Sequence, residues 1–313
     1  MGIVVALALT ASLLYGASDF IGALTARLLT VVKASTLIYL AGTTTTAIAL
    51  LFTAWTYSDQ AMWAGSIAGA FATVGMITFY AALAIGPMSL LAPLIALIQT
   101  AIPVIIAATT GQSLRPLAWI AIAVALLGTT LISVPAKTAG NTPSIPRITR
   151  RGGLLALLAG VTLGLSLVSL DAAPADSGVL PAFLDLGVGL ILILPLLAVR
   201  RFRTSNSWLH GATATHTADP LQEFGPELGL ELGQPGHRTW ALSALAGVLL
   251  GIGNIFIILA LHSGNLAVVA VLMSLYPLAT VVLASLVLKE RLSIAQLCGV
   301  VFAIGAAVML GVS

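Results

Sequence analysis

A stretch of this chain occurs twice. Tyr80–Leu131, shifted by 178 positions, lies on Ile258–Met309 without a gap. Ala82, Leu83, Gly86, Ala92, Leu94, Leu97, Ala101, Val104, Leu114 and Ala125 meet Ala260, Leu261, Gly264, Ala270, Leu272, Leu275, Ala279, Val282, Leu292 and Ala303. Identities of Ala and Leu carry little weight in an apolar chain. Gly86 on Gly264 and Leu114 on Leu292 carry more, because both pairs sit at breaks between apolar segments. A long internal repeat limits the fold to two copies of one unit, and it precedes every other reading.

The repeat is too apolar for a soluble core. Hydrophobic residues make up 59% of the chain and charged residues 7%, where a soluble domain carries about 25% charged. This predicts an all-α polytopic membrane protein in a lipid bilayer. The net charge of +3 does not point to nucleic acid, since the positive residues lie between apolar runs. The one cysteine, Cys298, excludes an internal disulfide and any CxxC metal or redox site. Met1–Ala17 lacks a basic leader region and its apolar run continues to about Leu24, so it reads as a span rather than a cleaved leader.

A spanning helix needs about 20 mostly apolar residues. Ten such segments are expected, at about 3–25, 34–56, 63–84, 88–110, 115–134, 152–170, 178–199, 240–261, 265–288 and 293–312. Residues 1–135 form the first five-helix repeat, 136–151 a Pro-containing linker, and 152–313 the second repeat, with a loop at 200–239. Five is odd, so the second unit enters the membrane from the opposite side. That is an inverted repeat, an arrangement that places transporter sites near the midplane between the halves. The loop at 200–239 holds His210, His216 and His237 at no metal-like spacing, together with Asp219, Glu223, Glu227 and Glu231; it reads as irregular and solvated.

Orientation follows the Lys and Arg bias of the connections. Twelve of these residues fall after odd-numbered helices and only Arg115 after an even one. This predicts cytoplasmic odd-numbered connections and both termini outside.

No GxxxxGK[ST], HExxH or GxSxG motif is present, which argues against nucleotide hydrolysis and the familiar hydrolases. No cofactor is expected. What remains is a short set of polar residues inside apolar spans. Asp19 lies in the first helix and Asp185 near the middle of the seventh. A carboxylate there costs several kcal/mol unless it is paired, hydrated or protonated, so each is a candidate for substrate or a coupling proton. Asp19 has a structural alternative, a bond to a neighbouring helix or to Arg27. Gln99, Asn254 and His262 either orient a polar solute or join helices, a contact worth about 1 kcal/mol. Tyr80 and Tyr276 either line a cavity or anchor helix ends. The pairs Gly65/Gly69, Gly160/Gly164 and Gly247/Gly251 put small residues on one helix face for close packing. Pro93, Pro103, Pro195 and Pro277 remove backbone donors inside helices, which marks the fourth and ninth helices as cavity walls or hinges.

The two five-helix halves, Tyr15-Gly16 in the first helix, Tyr80-Ala81-Ala82-Leu83-Ala84-Ile85-Gly86-Pro87 and Leu288-Lys289-Glu290-Arg291-Leu292 together resemble the EamA-type branch of the drug/metabolite transporter superfamily. The run Gly16-Ala17-Ser18-Asp19-Phe20, followed by Arg27, resembles a bacterial subgroup of it. The resemblance covers nearly the whole chain outside 200–239. It implies a secondary carrier for small metabolites, amino acids, sugars or drugs in the cytoplasmic membrane, often an exporter. The chain departs from the pattern at Gln112-Ser113, where a Glu-Arg pair is expected, and in the orientation its positive residues favour. Two other classes stay open: a membrane-embedded enzyme or flippase acting on lipid-linked groups, and a non-transporting scaffold. Substrate identity and oligomeric state are not written in the sequence.

Overall fold

The structure is a computed structural model. It describes residues 2–29, 31–85, 88–110, 116–132, 149–202, 236–276, 278–279, 282–283 and 293–312. The described residues form ten α-helices and no strand: α1 Gly2–Leu29, α2 Val31–Phe52, α3 Asp59–Ile85, α4 Met88–Thr109, α5 Pro116–Ile132, α6 Arg150–Asp171, α7 Leu180–Phe202, α8 His237–Ser263, α9 Leu266–Met273 and α10 Ile294–Val312. The chain is an all-α polytopic membrane protein. Five helices contain a segment long and apolar enough to cross a bilayer, within α1, α2, α3, α6 and α8. Large apolar side chains such as Leu13, Ile48, Leu51, Leu127, Val301 and Val308 are exposed, as expected of surfaces that meet lipid tails.

Local chemistry sets the helix ends. The Ser58 hydroxyl accepts from the Ala61 amide at the start of α3, and Thr149 accepts from Gly152 at the start of α6. Asn265 accepts from Ala267 and opens α9. At α10 the Ser293 amide donates to Gln296 Oε1 while the Gln296 amide donates to the Ser293 hydroxyl; this reciprocal pair satisfies two orphan donors at once. Between α6 and α7 a 3-10 turn, Ala175–Ser177, ends at Gly178 with φ 57°, a left-handed conformation that glycine adopts without steric cost.

Small residues govern the packing. A Cβ on Gly160 would lie 2.6 Å from Ile98 Cβ, and one on Gly164 2.8 Å from the Gln99 carbonyl, so α6 lies directly on α4. A Cβ on Gly69 would overlap the Asp185 carbonyl, and one on Gly247 the Ile38 carbonyl, so α3 meets α7 and α8 meets α2 backbone to backbone. With no hydrophobic drive between helices in lipid, such close approach supplies the dispersion that holds them. The principal contacts are α1 with α8, α3 with α6, α5 with α10, α2 with α8, α3 with α7, α4 with α6 and α2 with α7. Helices of residues 1–135 pack mainly against those of 152–313, not against each other.

The expected span at 265–288 is not one continuous helix. All eight residues of α9 are buried, and the helix ends at Met273. Leu275 then donates to the Leu272 carbonyl and Leu278 to the Leu275 carbonyl, which are three-residue rather than four-residue steps. Tyr276 and the described residues beyond it are helical again. Pro277, outside the described residues, has no amide hydrogen, so the Met273 carbonyl lacks its regular donor. The neighbouring Ser274 carbonyl accepts from the Thr129 hydroxyl of α5 at 3.2 Å. By contrast α4 runs unbroken through Pro93 and Pro103, and α7 through Pro195. The 136–148 part of the linker, most of the 200–239 loop, and the Gly86-Pro87, Gln112-Ser113 and Lys289-Glu290-Arg291 segments lie outside the described residues.

Candidate functional site

Asp185 is the centre of the site. It is the sixth residue of α7, and the side chain is 5% exposed. Asn254, on α8, is fully buried. Its Nδ2 donates to Asp185 Oδ2 at 2.6 Å. This bond fixes which way the amide faces: the NH2 group points at the carboxylate and the amide oxygen points away. Asp185 Oδ1 and Asn254 Oδ1 are both buried and have no hydrogen-bond partner among the described residues. The pair thus leaves two acceptors over in a region where an unsatisfied polar group is costly.

Position along the helices differs from expectation. Asp185 lies about 9 Å from the midpoint of α7, counting 1.5 Å per residue. The helix begins at Leu180 and continues to Phe202, which moves its centre past the expected one. Asp19, in the longer α1, lies only about 5 Å from that helix's midpoint.

Further polar groups converge from other helices. The charges of Asp19 and Asp185 both reach Tyr15 on α1 and Tyr39 on α2. Asp19 also acts on Tyr276, just past the break after α9. The ring of Tyr15 lies against Gly253, where a Cβ would approach it to 2.8 Å. Tyr39 is buried against Gly189 of α7, beside the Thr73 hydroxyl of α3. Glycine at 189 and 253 is therefore what lets these rings enter. Nearby, the Ser18 hydroxyl donates to the Ala246 carbonyl and ties α1 to α8. No hydrogen bond to the Asp19 carboxylate occurs among the described residues, and the Arg27 side chain is not among them.

The expected residues therefore divide. Asp185 and Asn254 are bonded directly; Asp19 shares Tyr15 and Tyr39 with Asp185, and Tyr276 meets Asp19 alone of the two carboxylates. His262 lies eight residues beyond Asn254 on α8, about 12 Å along the axis, where Asp176 is the charge that acts on it; its Nε2 is buried without a partner. Gln99 sits on α4 against Gly164 of α6, and none of the described contacts links it to the carboxylates. The Tyr80 side chain lies outside the described residues. Tyr39 and Thr73 were not among the expected site residues. Both are polar in apolar spans, but Thr73 reads as an ordinary helical threonine whose hydroxyl donates back to the Gly69 carbonyl. Tyr15 was expected only as part of an aromatic-glycine pair. Among the described residues no group of His, Cys, Asp and Glu is arranged to hold a metal ion.

The arrangement offers buried acceptors and aromatic faces. A search of curated proteins gives no match. A solved protein crystal structure aligns with 98% of this chain and 95% of its own length, at TM-score 0.70 and 16% identity; at that identity the likeness is one of fold. Residues 224–312 match the EamA-like transporter family. Over residues 224–312 the chain is thus similar to the EamA-like transporter family, within a fold it shares from end to end with a solved structure.

Proposed function

We propose that this protein is a secondary transporter that moves small metabolites or drug-like solutes across the cytoplasmic membrane by alternating access, in the export direction, with Asp185 at its binding site. The observation that carries this reading is the buried Asp185–Asn254 pair with its two unpartnered oxygens. The two leftover acceptors give a solute groups to bind. The packing supports two related halves. Exchanging α1–α5 with α6–α10 turns the α1–α8 contact into α6–α3, α2–α8 into α7–α3, and leaves α2–α7 and α5–α10 unchanged. Such a frame lets one set of helices rock against the other around a fixed site. The positive residues of the odd-numbered connections favour both termini outside.

Asp185 is also the candidate for a coupling proton. The groups that face this region are Tyr15 and Asp19 from α1, Tyr39 from α2, Asn254 from α8, and Tyr276. The test is transport in proteoliposomes with and without a pH gradient, normalised to folded carrier. Asp185→Asn keeps the shape and removes the titration, so gradient-driven transport should be lost while the fold stays. Undiminished gradient-driven transport by that variant would remove Asp185 from the mechanism and leave Asp19 as the acidic candidate.

A further inference from the structure

We propose that the site around Asp185 takes a small organic cation, its ammonium group seated between the two unpartnered acceptors and the tyrosine rings; this deepens the carrier reading and rests on it. The hydrogen-bond pattern carries the argument. Asn254 has used its NH2 group on Asp185 Oδ2. What is left, Asp185 Oδ1 and Asn254 Oδ1, can only accept while the carboxylate is ionised, and both atoms are buried. Their partner must therefore bring donors, and an ammonium is donors alone.

Charge and aromatic content select among donors. Asp19 adds a second carboxylate that shares Tyr15 and Tyr39 with Asp185. The cationic side chains described, Lys33, Arg150, Arg151 and Arg238, are exposed at helix ends. An anionic solute would face two carboxylates without a described counter-charge. Tyr15 lies against Gly253, next to Asn254, and Tyr39 against Gly189, one turn beyond Asp185; Tyr276 meets the Asp19 charge. Aromatic faces attract cations, and the attraction grows when water is excluded. They do little for a hydrated sodium ion, which asks for oxygen ligands at short range. Tyrosines with two acidic groups favour an organic cation over an inorganic one.

The experiment uses the purified full chain in detergent, with propylammonium and butylammonium as probes and butanol, butyrate and sodium chloride as comparators. Saturable thermal stabilisation by the cations, and not by the comparators, is expected. Asp185→Asn should raise the half-saturating concentration at least tenfold. Tyr15→Leu should raise it severalfold without touching a carboxylate, which keeps the test alive if the Asp185 variant does not fold. The proposal is overturned if neither cation saturates, if butyrate or butanol saturates at an equal or lower concentration, or if sodium alone accounts for the stabilisation. Counterflow of the same cations in proteoliposomes separates the two readings. Binding without exchange sinks the carrier and keeps the cation site. Exchange of a neutral or anionic solute that Asp185→Asn leaves intact sinks the cation site and keeps the carrier.

Discussion

Two seams of this molecule are built on the same glycines and filled differently. In one, α3 lies on α6; in the other, α8 lies on α1. Gly75 and Gly253 stand 178 positions apart, the offset read for the sequence repeat. A Cβ on Gly75 would meet Leu163 at 2.6 Å, and one on Gly253 would meet the Tyr15 ring. Gly69 and Gly247 are the same distance apart and press on the carbonyls of Asp185 and Ile38. Through these contacts Leu163 stands on the α3–α6 side where Tyr15 stands on the α1–α8 side, while Asp185 of α7 faces Gly69 and Ile38 of α2 faces Gly247. Near the α3–α6 seam, Ala82, Leu91, Ile95, Ala156 and Ala159 form an apolar cluster. The α1–α8 seam carries Tyr15, Asp19 and Asn254, and the Asn254 amide reaches across to Asp185 on α7. The close backbone approach recurs on both sides, whereas the amide–carboxylate bond has no equivalent at Met76, 178 positions before Asn254. A site grafted on a scaffold, rather than the scaffold itself, gives the function.

The largest effect is expected where the seams are alike. Gly69→Leu and Gly247→Leu each force a side chain into backbone that cannot move aside. Overpacking costs roughly 1–3 kcal/mol, sometimes more, so both variants should lose most of their folded fraction on gel filtration. If one glycine accepts Leu freely, the two seams are not packed alike.

Next come substitutions where the seams differ. Asp185→Ile puts the residue type that faces Gly247 against Gly69 and strands the Asn254 amide, a loss of about 1–3 kcal/mol. Met76→Leu at the matching place should change stability by less than about 1.5 kcal/mol. Thermal unfolding of the two variants side by side measures the difference, and equal values would mean that Asp185–Asn254 adds no stability.

A smaller effect is expected at the break after α9. Thr129→Val removes the hydroxyl that reaches the Ser274 carbonyl and should cost about 1 kcal/mol. Hydrogen exchange at residues 272–278 should rise in that variant, while α4, the continuous counterpart of α9, stays protected. A uniform rise in both would show that the break is not held locally.

The smallest effect lies at the surface. The Tyr57 hydroxyl donates to Asp59 Oδ1 at 2.9 Å, and that bond, followed by the Asp59 charge, pushes the phenol above its usual value. The folded state favours the protonated phenol, so this contribution is complete below the ordinary tyrosine range and is lost as pH rises beyond it. Tyr57→Phe should therefore lower the unfolding temperature slightly at neutral pH, and its difference from the parent should vanish as pH rises through the tyrosine range. A difference that persists at alkaline pH would mean that the bond is not what sets it.

Much of the fold was legible in the residues. The apolar runs predicted ten helices whose ends, the ninth excepted, lie close to those described, because a chain with 7% charged residues has few polar places at which to leave the membrane. The Gly-xxx-Gly pairs pointed to close helix contacts, since a missing Cβ is a local property. Asp185 and Asn254 could each be singled out, because a buried carboxylate or amide in lipid is costly wherever it sits. Their pairing was not legible. The two residues are 69 positions apart, on helices that touch only through the fold.

The ninth span shows the same division. Pro277 announced that a donor was missing, but not whether the helix would bend or stop. Pro93, Pro103 and Pro195 carry the same local defect and sit in continuous helices. What separates them is the surroundings, with Thr129 of α5 placed to satisfy a carbonyl at the break. The sequence by itself determined how many apolar segments this protein has and which residues are costly to bury in them. Only the tertiary structure decided which of those residues meet, because a hydrogen bond between helices depends on distance in space and not on position in the chain.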